Sequence, residues 1–221
     1  DIHSSIGNLT NLTNLYLYSN EFTGEIPSSI GNLTNLTYLN LNGTNVRGEI
    51  PSWIGNLTQL EYLMLNVNGL TESIPAEIGS LVNIEHLYLD NNELSGEIPS
   101  EIGSLTLVDD LRLQRNNLSG EVPSEIANMS SLQSLYLDDN DLSGLFPEEI
   151  CDMSFIPYVY IENNKLCAPY PSCISQEDQN SQDISECVDV CGVLGGDGSS
   201  CILWGETAFD IANTTEIYCS N

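Results

Sequence analysis

The chain holds 221 residues, 41% of them hydrophobic, which is enough apolar side chain for a sizeable core. Its 32 acidic residues face only Arg47, Arg112, Arg115 and Lys165, a formal net charge of -28. That balance excludes the basic stripe a nucleic-acid partner needs and disfavours anionic membranes; its plainest meaning is solubility, ahead of any dedicated acidic site.

In chain order the elements repeat. Ile26-Pro27, Ile50-Pro51, Ile74-Pro75, Ile98-Pro99, Val122-Pro123 and Phe146-Pro147 stand 24 residues apart without insertion or deletion. A period in this range predicts a solenoid whose coils bury their apolar faces only against their neighbours. Three columns are expected to point inward: Leu9, Leu33, Leu57, Leu81, Leu105, Met129 and Met153; Leu15, Leu39, Leu63, Leu87, Leu111, Leu135 and Val159; Leu17, Leu41, Leu65, Leu89, Leu113, Leu137 and Ile161. The Leu-x-Leu pair alternates with exposed neighbours at period two, the pattern of a short strand, and stacked copies form a parallel sheet with strands ~4.8 Å apart. Such strands, one per coil, make a concave wall.

Beyond each strand stands Asn20, Asn68, Asn92, Asn116, Asn140 or Asn164, with Thr44 as the departure. A buried Asn both donates and accepts, so a ladder of them satisfies turning backbone; Thr44 replaces only part of it and predicts a weaker second coil. Gly24, Gly48, Gly96, Gly120 and Gly144 mark a second turn, with Glu72 as the exception in the third place, and Pro then fixes an extended convex segment.

The frame LxxLxxLxLxxNxLSGEIPxxIGxL, seen best in LYLDNNELSGEIPSEIGSL, closely resembles plant-type leucine-rich repeats over about residues 1–173. The resemblance implies an α/β solenoid: a right-handed arc with a parallel concave sheet, a mostly irregular or 3-10 convex side and a disulfide-rich C-terminal cap. The expected division is a solenoid over 1–166 and a Cys-rich cap and tail over 167–221. Relatives include receptor ectodomains and polygalacturonase inhibitors, so binding without catalysis is implied. NNKLCAPYPSC, at 163–173, resembles the cap of those proteins and implies a Cys167–Cys173 bridge.

Two departures from that family stand at the ends. DIHSSIGNLT matches the later EIPSSIGNLT except at Asp1 and His3, where the family has a paired-Cys cap. An open first coil is expected to turn Leu9, Leu12, Leu15, Leu17 and Phe22 toward solvent, unless upstream repeats or a second copy stacked end to end cover them. With no signal segment and no initiator Met, the chain reads as processed or truncated. At the other end ISQEDQNSQDISE reads as an acidic linker. CVDVCGVLGGDGSSC resembles the Cys/Gly/Asp-rich segments, CGVCGGDGSSC, of secreted algal and related microbial proteins, with Leu194 where one Cys would stand. Asp189 and Asp197 suggest calcium there, but EF-hand spacing is missing and a disulfide-bound loop is the expectation.

All the cysteines, Cys151, Cys167, Cys173, Cys187, Cys191, Cys201 and Cys219, fall after residue 150 and read as a disulfide-stapled end in an oxidising compartment. A zinc site is disfavoured because no His lies nearby, and the odd count leaves one thiol free or paired with another chain. No apolar run nears the ~20 residues of a membrane span. Sequons at Asn8, Asn11, Asn32, Asn35, Asn42, Asn56, Asn117, Asn128 and Asn213 point to a secreted, extracellular or cell-surface glycoprotein, although copying of GNLTNLT multiplies them. Asn8, Asn32, Asn56 and Asn128 are expected on the convex side.

Candidate ligand-binding residues lie on three concave columns. The first carries Tyr16, Met64, Tyr88, Arg112, Tyr136 and Tyr160, and the second Tyr38, Tyr62, His86 and Tyr158. The third, which turns acidic, carries Asp90 and Asp138. Tyrosine offers large contact area with a polar tip, suited to a protein or glycan ligand; packing along the sheet face is the alternative. His3 and His86 are the only histidines, with no catalytic or metal-ligand spacing around them, so neither an enzyme nor a cofactor is expected. The function expected is recognition or adhesion through the concave face. Alternatives are a filament subunit, a glycosidase inhibitor and, least, an ice binder, since the convex repeats lack a regular Thr lattice.

Overall fold

The computed structural model describes residues 1–155, 157–185 and 187, with the backbone of 201–204 and 207–210. Each convex segment enters a short 3-10 turn, from Ser4–Asn8 through Ser28–Asn32, Ser52–Asn56, Ala76–Ser80, Ser100–Ser104 and Ser124–Asn128 to Glu148–Asp152. Before six of these turns stands a proline with φ between -67° and -74° and extended ψ, a conformation its ring already imposes. The chain then crosses the core and emerges as a three-residue strand.

Those strands, Asn14–Tyr16, Tyr38–Asn40, Tyr62–Met64, His86–Tyr88, Asp110–Arg112, Ser134–Tyr136 and Tyr158–Tyr160, form one parallel seven-stranded sheet in sequence order. Register is strict: Leu15, Leu39, Leu63, Leu87, Leu111, Leu135 and Val159 pair in succession. From the second coil onward a short flank strand follows each concave strand, and these pair in parallel as a two-stranded and a four-stranded sheet. The core between the two is a single cluster reaching from Ile2 to Ile174. In the second coil Ile30, Leu33, Leu36, Leu39 and Leu41 are all 0% exposed, each stabilising the coil by about 1.5–3 kcal/mol.

Close stacking on the convex side depends on glycine. A Cβ added to Gly103 would lie 2.3 Å from the Glu125 carbonyl of the next coil. Only a hydrogen fits there.

The Asn ladder is present, and Asn92 shows its chemistry. Its Nδ2 donates to the carbonyls of Leu65 (3.1 Å) and Leu89 (3.0 Å), and its Oδ1 accepts from Leu70 N–H (3.1 Å). Asn116 and Asn140 repeat that pattern. At Thr44 the rung is partial, as expected: its side chain makes no hydrogen bond to the preceding coil like those of Asn68 to Leu41 O and Asn92 to Leu65 O. Thr44 is fully buried, its hydroxyl donates to Leu41 O at 2.8 Å, and its N–H donates to Asn68 Oδ1 at 3.0 Å. Asn20, expected to be buried, is exposed and donates only within its own coil, to Leu17 O and Tyr18 O.

Of the five apolar side chains expected to face solvent in the first coil, only Leu9 is exposed. Leu15 is buried, and Leu12, Leu17 and Phe22 pack half-buried onto the cluster that Ile2 and Ile6 also join.

The C-terminal end differs from two expectations. Cys167 does not pair with Cys173: the bridges are Cys151–Cys173 and Cys167–Cys187. The turn Glu148–Asp152 brings Cys151 to Cys173, and the chain returning after Asn180 brings Cys187 over Cys167. The supposed linker is also part of the fold. It contains a helix, Gln176–Asn180, capped by Ser175, and it supplies the hydrogen bonds an eighth coil would have given. Asp178 Oδ1 accepts from Ile161 N–H, Gln182 Oε1 accepts from Leu166 N–H, and Gln182 Nε2 donates to Ile161 O. Polarity here closes the end of a sheet. Cys191, Cys219, Asn213, Asp189 and Asp197 lie outside the described residues, as does the side chain of Cys201.

Candidate binding surface

Strand alternation places Leu15 and its equivalents in the core and turns their neighbours to the concave wall. There the aromatic residues touch in an unbroken run. Ring centroids are 4.7 Å apart for Tyr16–Tyr38, 5.2 Å for Tyr38–Tyr62, 4.9 Å for Tyr62–His86 and 5.8 Å for His86–Tyr88. Arg112 continues it, its guanidinium 4.3 Å from the Tyr88 ring centre and 5.4 Å from that of Tyr136. Tyr136 stacks on Tyr160 at 4.7 Å with planes 2° apart.

The run begins at Tyr16, follows the second column through Tyr38, Tyr62 and His86, then steps sideways within one strand to Tyr88 and continues along the first. The step is needed because the first column holds Asn40 and Met64 in the second and third coils, and the second holds Asp110 and Ser134 in the fifth and sixth. Carboxylates pin it. Tyr62 donates to Glu85 Oε2 at 3.0 Å, Tyr88 donates to Asp110 Oδ2 at 2.8 Å, and Arg112 donates to the same Asp110 at 2.7 Å. His86 Nδ1 lies 2.9 Å from Asp109 Oδ1. The hydrogen bond to Glu85 raises the Tyr62 phenol, and burial followed by the Asp110 bond raises that of Tyr88, so both remain donors. Met64 contributes its sulfur, which accepts from Tyr38 Oη (3.3 Å) and Asn40 Nδ2 (3.2 Å).

Other expected site residues lie off this run. Tyr158 is exposed on the second column and makes no ring contact among the described residues. Asp90 is only 5% exposed and Asp138 is half-buried. Asp109, Asp110 and Glu85 were not among the expected site residues. Their signal was present, since each lies in or directly before a strand and so beside the exposed columns.

Of the sequons, Asn8, Asn11, Asn32, Asn35, Asn56, Asn117 and Asn128 are exposed. Asn35 donates its amide to Thr10 O (2.9 Å), and Asn42 is half-buried with its amide toward Asn66 O (3.4 Å).

The family described as leucine-rich repeat region matches residues 1–95, and a further leucine-rich-repeat family matches 108–129 and 131–153. The chain belongs to the leucine-rich-repeat family. No curated protein matches this leucine-rich-repeat chain in sequence. Among solved structures it is similar to the plant peptide hormone receptor RGFR1 in complex with RGF2, with 32% identity and TM-score 0.74, covering 76% of this chain and 27% of that one. It is also similar to the ectodomain of the Arabidopsis receptor kinase HAESA with a peptide hormone ligand: 39% identity, TM-score 0.71, 75% of this chain and 28% of that one. A plant ice-binding protein matches at 26% identity and TM-score 0.57 over 77% of this chain and 70% of that one. The leucine-rich-repeat chain thus spans less than a third of either receptor.

Proposed function

We propose that this chain is a secreted, non-enzymatic recognition module that takes an extended peptide or protein segment along its concave wall. The observation that carries this reading is the unbroken aromatic and guanidinium run from Tyr16 to Tyr160. Mutual stacking occupies the ring faces and the Tyr38, Tyr62 and Tyr88 hydroxyls already donate within the wall, so the run offers ring edges and accepting hydroxyl oxygens to a ligand. That favours a hydrogen-bonding peptide over a sugar ring, which needs an open aromatic face. Two of the similar receptors carry a peptide ligand in their own description. The disulfides and exposed sequons fit secretion.

The test is a peptide and glycan array probed with the wild-type chain and with Tyr38→Ser/Tyr62→Ser/Tyr136→Ser. Peptide hits that fall at least about tenfold on the triple variant support the reading. Glycan hits alone, or peptide hits indifferent to the three substitutions, would reject it.

The similarity to an ice-binding protein favours one second reading. On the convex side Ser28, Ser52, Ser100 and Ser124, and beside them Thr34, Thr58 and Thr106, are exposed in register, but Ala76 and Val82 interrupt the columns. Ice recrystallisation assays decide it: inhibition lost on Thr34→Lys/Thr58→Lys would assign the convex face to ice.

A further inference from the structure

His86 stands where the aromatic run changes column, its ring 4.9 Å from that of Tyr62 and 5.8 Å from that of Tyr88. Those two rings hold the imidazole plane, and Asp109 meets its edge. His86 N–H donates to Glu61 O at 3.2 Å and Asp109 N–H donates to Glu85 O at 3.0 Å, so the backbone places both side chains on neighbouring rungs. His86 Nδ1 and Asp109 Oδ1 lie 2.9 Å apart; both are buried, and neither has another partner among the described residues. Two bare lone pairs at that distance repel, whereas one proton between them satisfies both atoms. It belongs on Nδ1, since an imidazole is a stronger base than a carboxylate. A neutral imidazole carries only one proton, so Nε2 keeps its lone pair and accepts. Nε2 makes no hydrogen bond among the described residues, on a side chain that remains 26% exposed.

Charged and titratable groups reach this point from three coils. Glu61 and Tyr62 stand on the preceding coil, Glu85 and Tyr88 on that of His86, and Asp109, Asp110 and Arg112 on the next. Most are committed to one another: Tyr62 donates to Glu85, while Tyr88 and Arg112 both donate to Asp110. The phenol hydrogens at the centre of the wall thus serve the protein itself, and Nε2 is left as an acceptor on the concave side.

We propose that His86 Nε2, kept in the acceptor state by Asp109, receives a hydrogen bond from a backbone N–H of the bound peptide, and that protonation of His86 releases that peptide. The proposal rests on the reading of the concave wall as a peptide site and adds a named contact and its pH response. Asp109 is a positioning residue: it selects the tautomer and leaves the contact to His86. The sign follows from the proton. Once Nε2 carries a hydrogen it has no lone pair to offer, and the peptide N–H meets another N–H. Binding is therefore complete above the imidazole titration and weakens as pH falls through it, approaching about tenfold per pH unit, because only the neutral fraction is competent.

The test is an array of acetylated, amidated peptides without Asp, Glu, His, Lys or Arg, so that only the protein titrates, with the strongest hit followed by calorimetry at about pH 5.5 and about pH 7.5. Wild-type binding should weaken at least about fivefold at the lower pH. His86→Phe, which keeps a ring in the stack, should bind at least about tenfold more weakly at the higher pH and show no pH response. His86→Gln keeps an accepting oxygen without a titrating proton, so it should bind within about threefold of the wild type at the higher pH and hold that affinity at the lower one. His3→Gln should keep the full pH response. Nitrogen-15 spectra of the free protein should show the proton on Nδ1 of His86, and Asp109→Asn should move part of it to Nε2. A wild-type proton on Nε2, equal binding at both pH values, or His86→Gln behaving as His86→Phe would each overturn the proposal. Absence of any peptide hit would overturn it together with the peptide reading of the wall, whereas pH-independent hits lost on Tyr38→Ser/Tyr62→Ser/Tyr136→Ser would overturn it and leave that reading standing.

Discussion

At the scale of single residues, what matters is which backbone group a side chain leaves unpaired. Asn92→Ala strands the buried Leu70 N–H, whereas Thr44→Val strands nothing, because Asn68 Nδ2 also serves Leu41 O at 2.8 Å. Urea melts should therefore show a loss of about 1–3 kcal/mol for Asn92→Ala and a clearly smaller one for Thr44→Val. The pH dependence of Asp90 has a fixed sign. Burial raises its carboxyl above the ordinary aspartate range, so the folded state holds the proton more tightly than the unfolded state. That contribution to stability is complete below the ordinary carboxylate range and disappears as pH rises through the raised value. Thermal melts from about pH 4 to about pH 7 should show Asp90→Asn gaining on the wild type as pH climbs. A gap that shrinks instead would show the carboxylate is stabilised in place.

At the scale of the coil, much was legible in the sequence. Period, inward columns and register follow from spacing alone, because a strand that slips by one residue would turn Leu63 outward. The Asn position was legible as a ladder, but its end was not. Asn20 has no preceding coil among these residues to bond, and Asp178 and Gln182 complete the last rungs from a segment whose composition is that of a linker. The concave columns were legible too. The sideways step from His86 to Tyr88 was not, since it depends on which rings meet across strands. Backbone strain is another property of the coil. Val67 holds φ at +57° in a place where Asn91 and Asn163 also sit, and a β-branched side chain is costly there. Val67→Asn should stabilise the protein by about 1 kcal/mol, while Gly103→Ala, forced against Glu125 O, should cost roughly 1–3 kcal/mol. Paired denaturation curves check both signs.

At the scale of the whole molecule, each coil leans only on its neighbours, so the ends govern how unfolding starts. Cys151–Cys173 and Cys167–Cys187 fasten the C-terminal closure to the last coils. The pairing was not legible because seven cysteines admit many more connectivities than the three open to four, and only the fold brings Cys151 to Cys173. Reduction should cost about 2–4 kcal/mol per bridge and should open the strand Tyr158–Tyr160 to hydrogen exchange before the strand His86–Tyr88. Simultaneous loss of protection in both would mean the solenoid unfolds as one unit.

On the proposed function a ligand lies along the concave wall, over the run from Tyr16 to Tyr160. Tyrosine-selective chemical labelling, with and without the tightest peptide from the array, tests it most directly. Protection of Tyr38, Tyr62, Tyr88, Tyr136 and Tyr160, with Tyr170 at the C-terminal closure labelled as before, is the predicted result. Unchanged labelling along the wall at saturating peptide, or protection of Tyr170 alone, would contradict it.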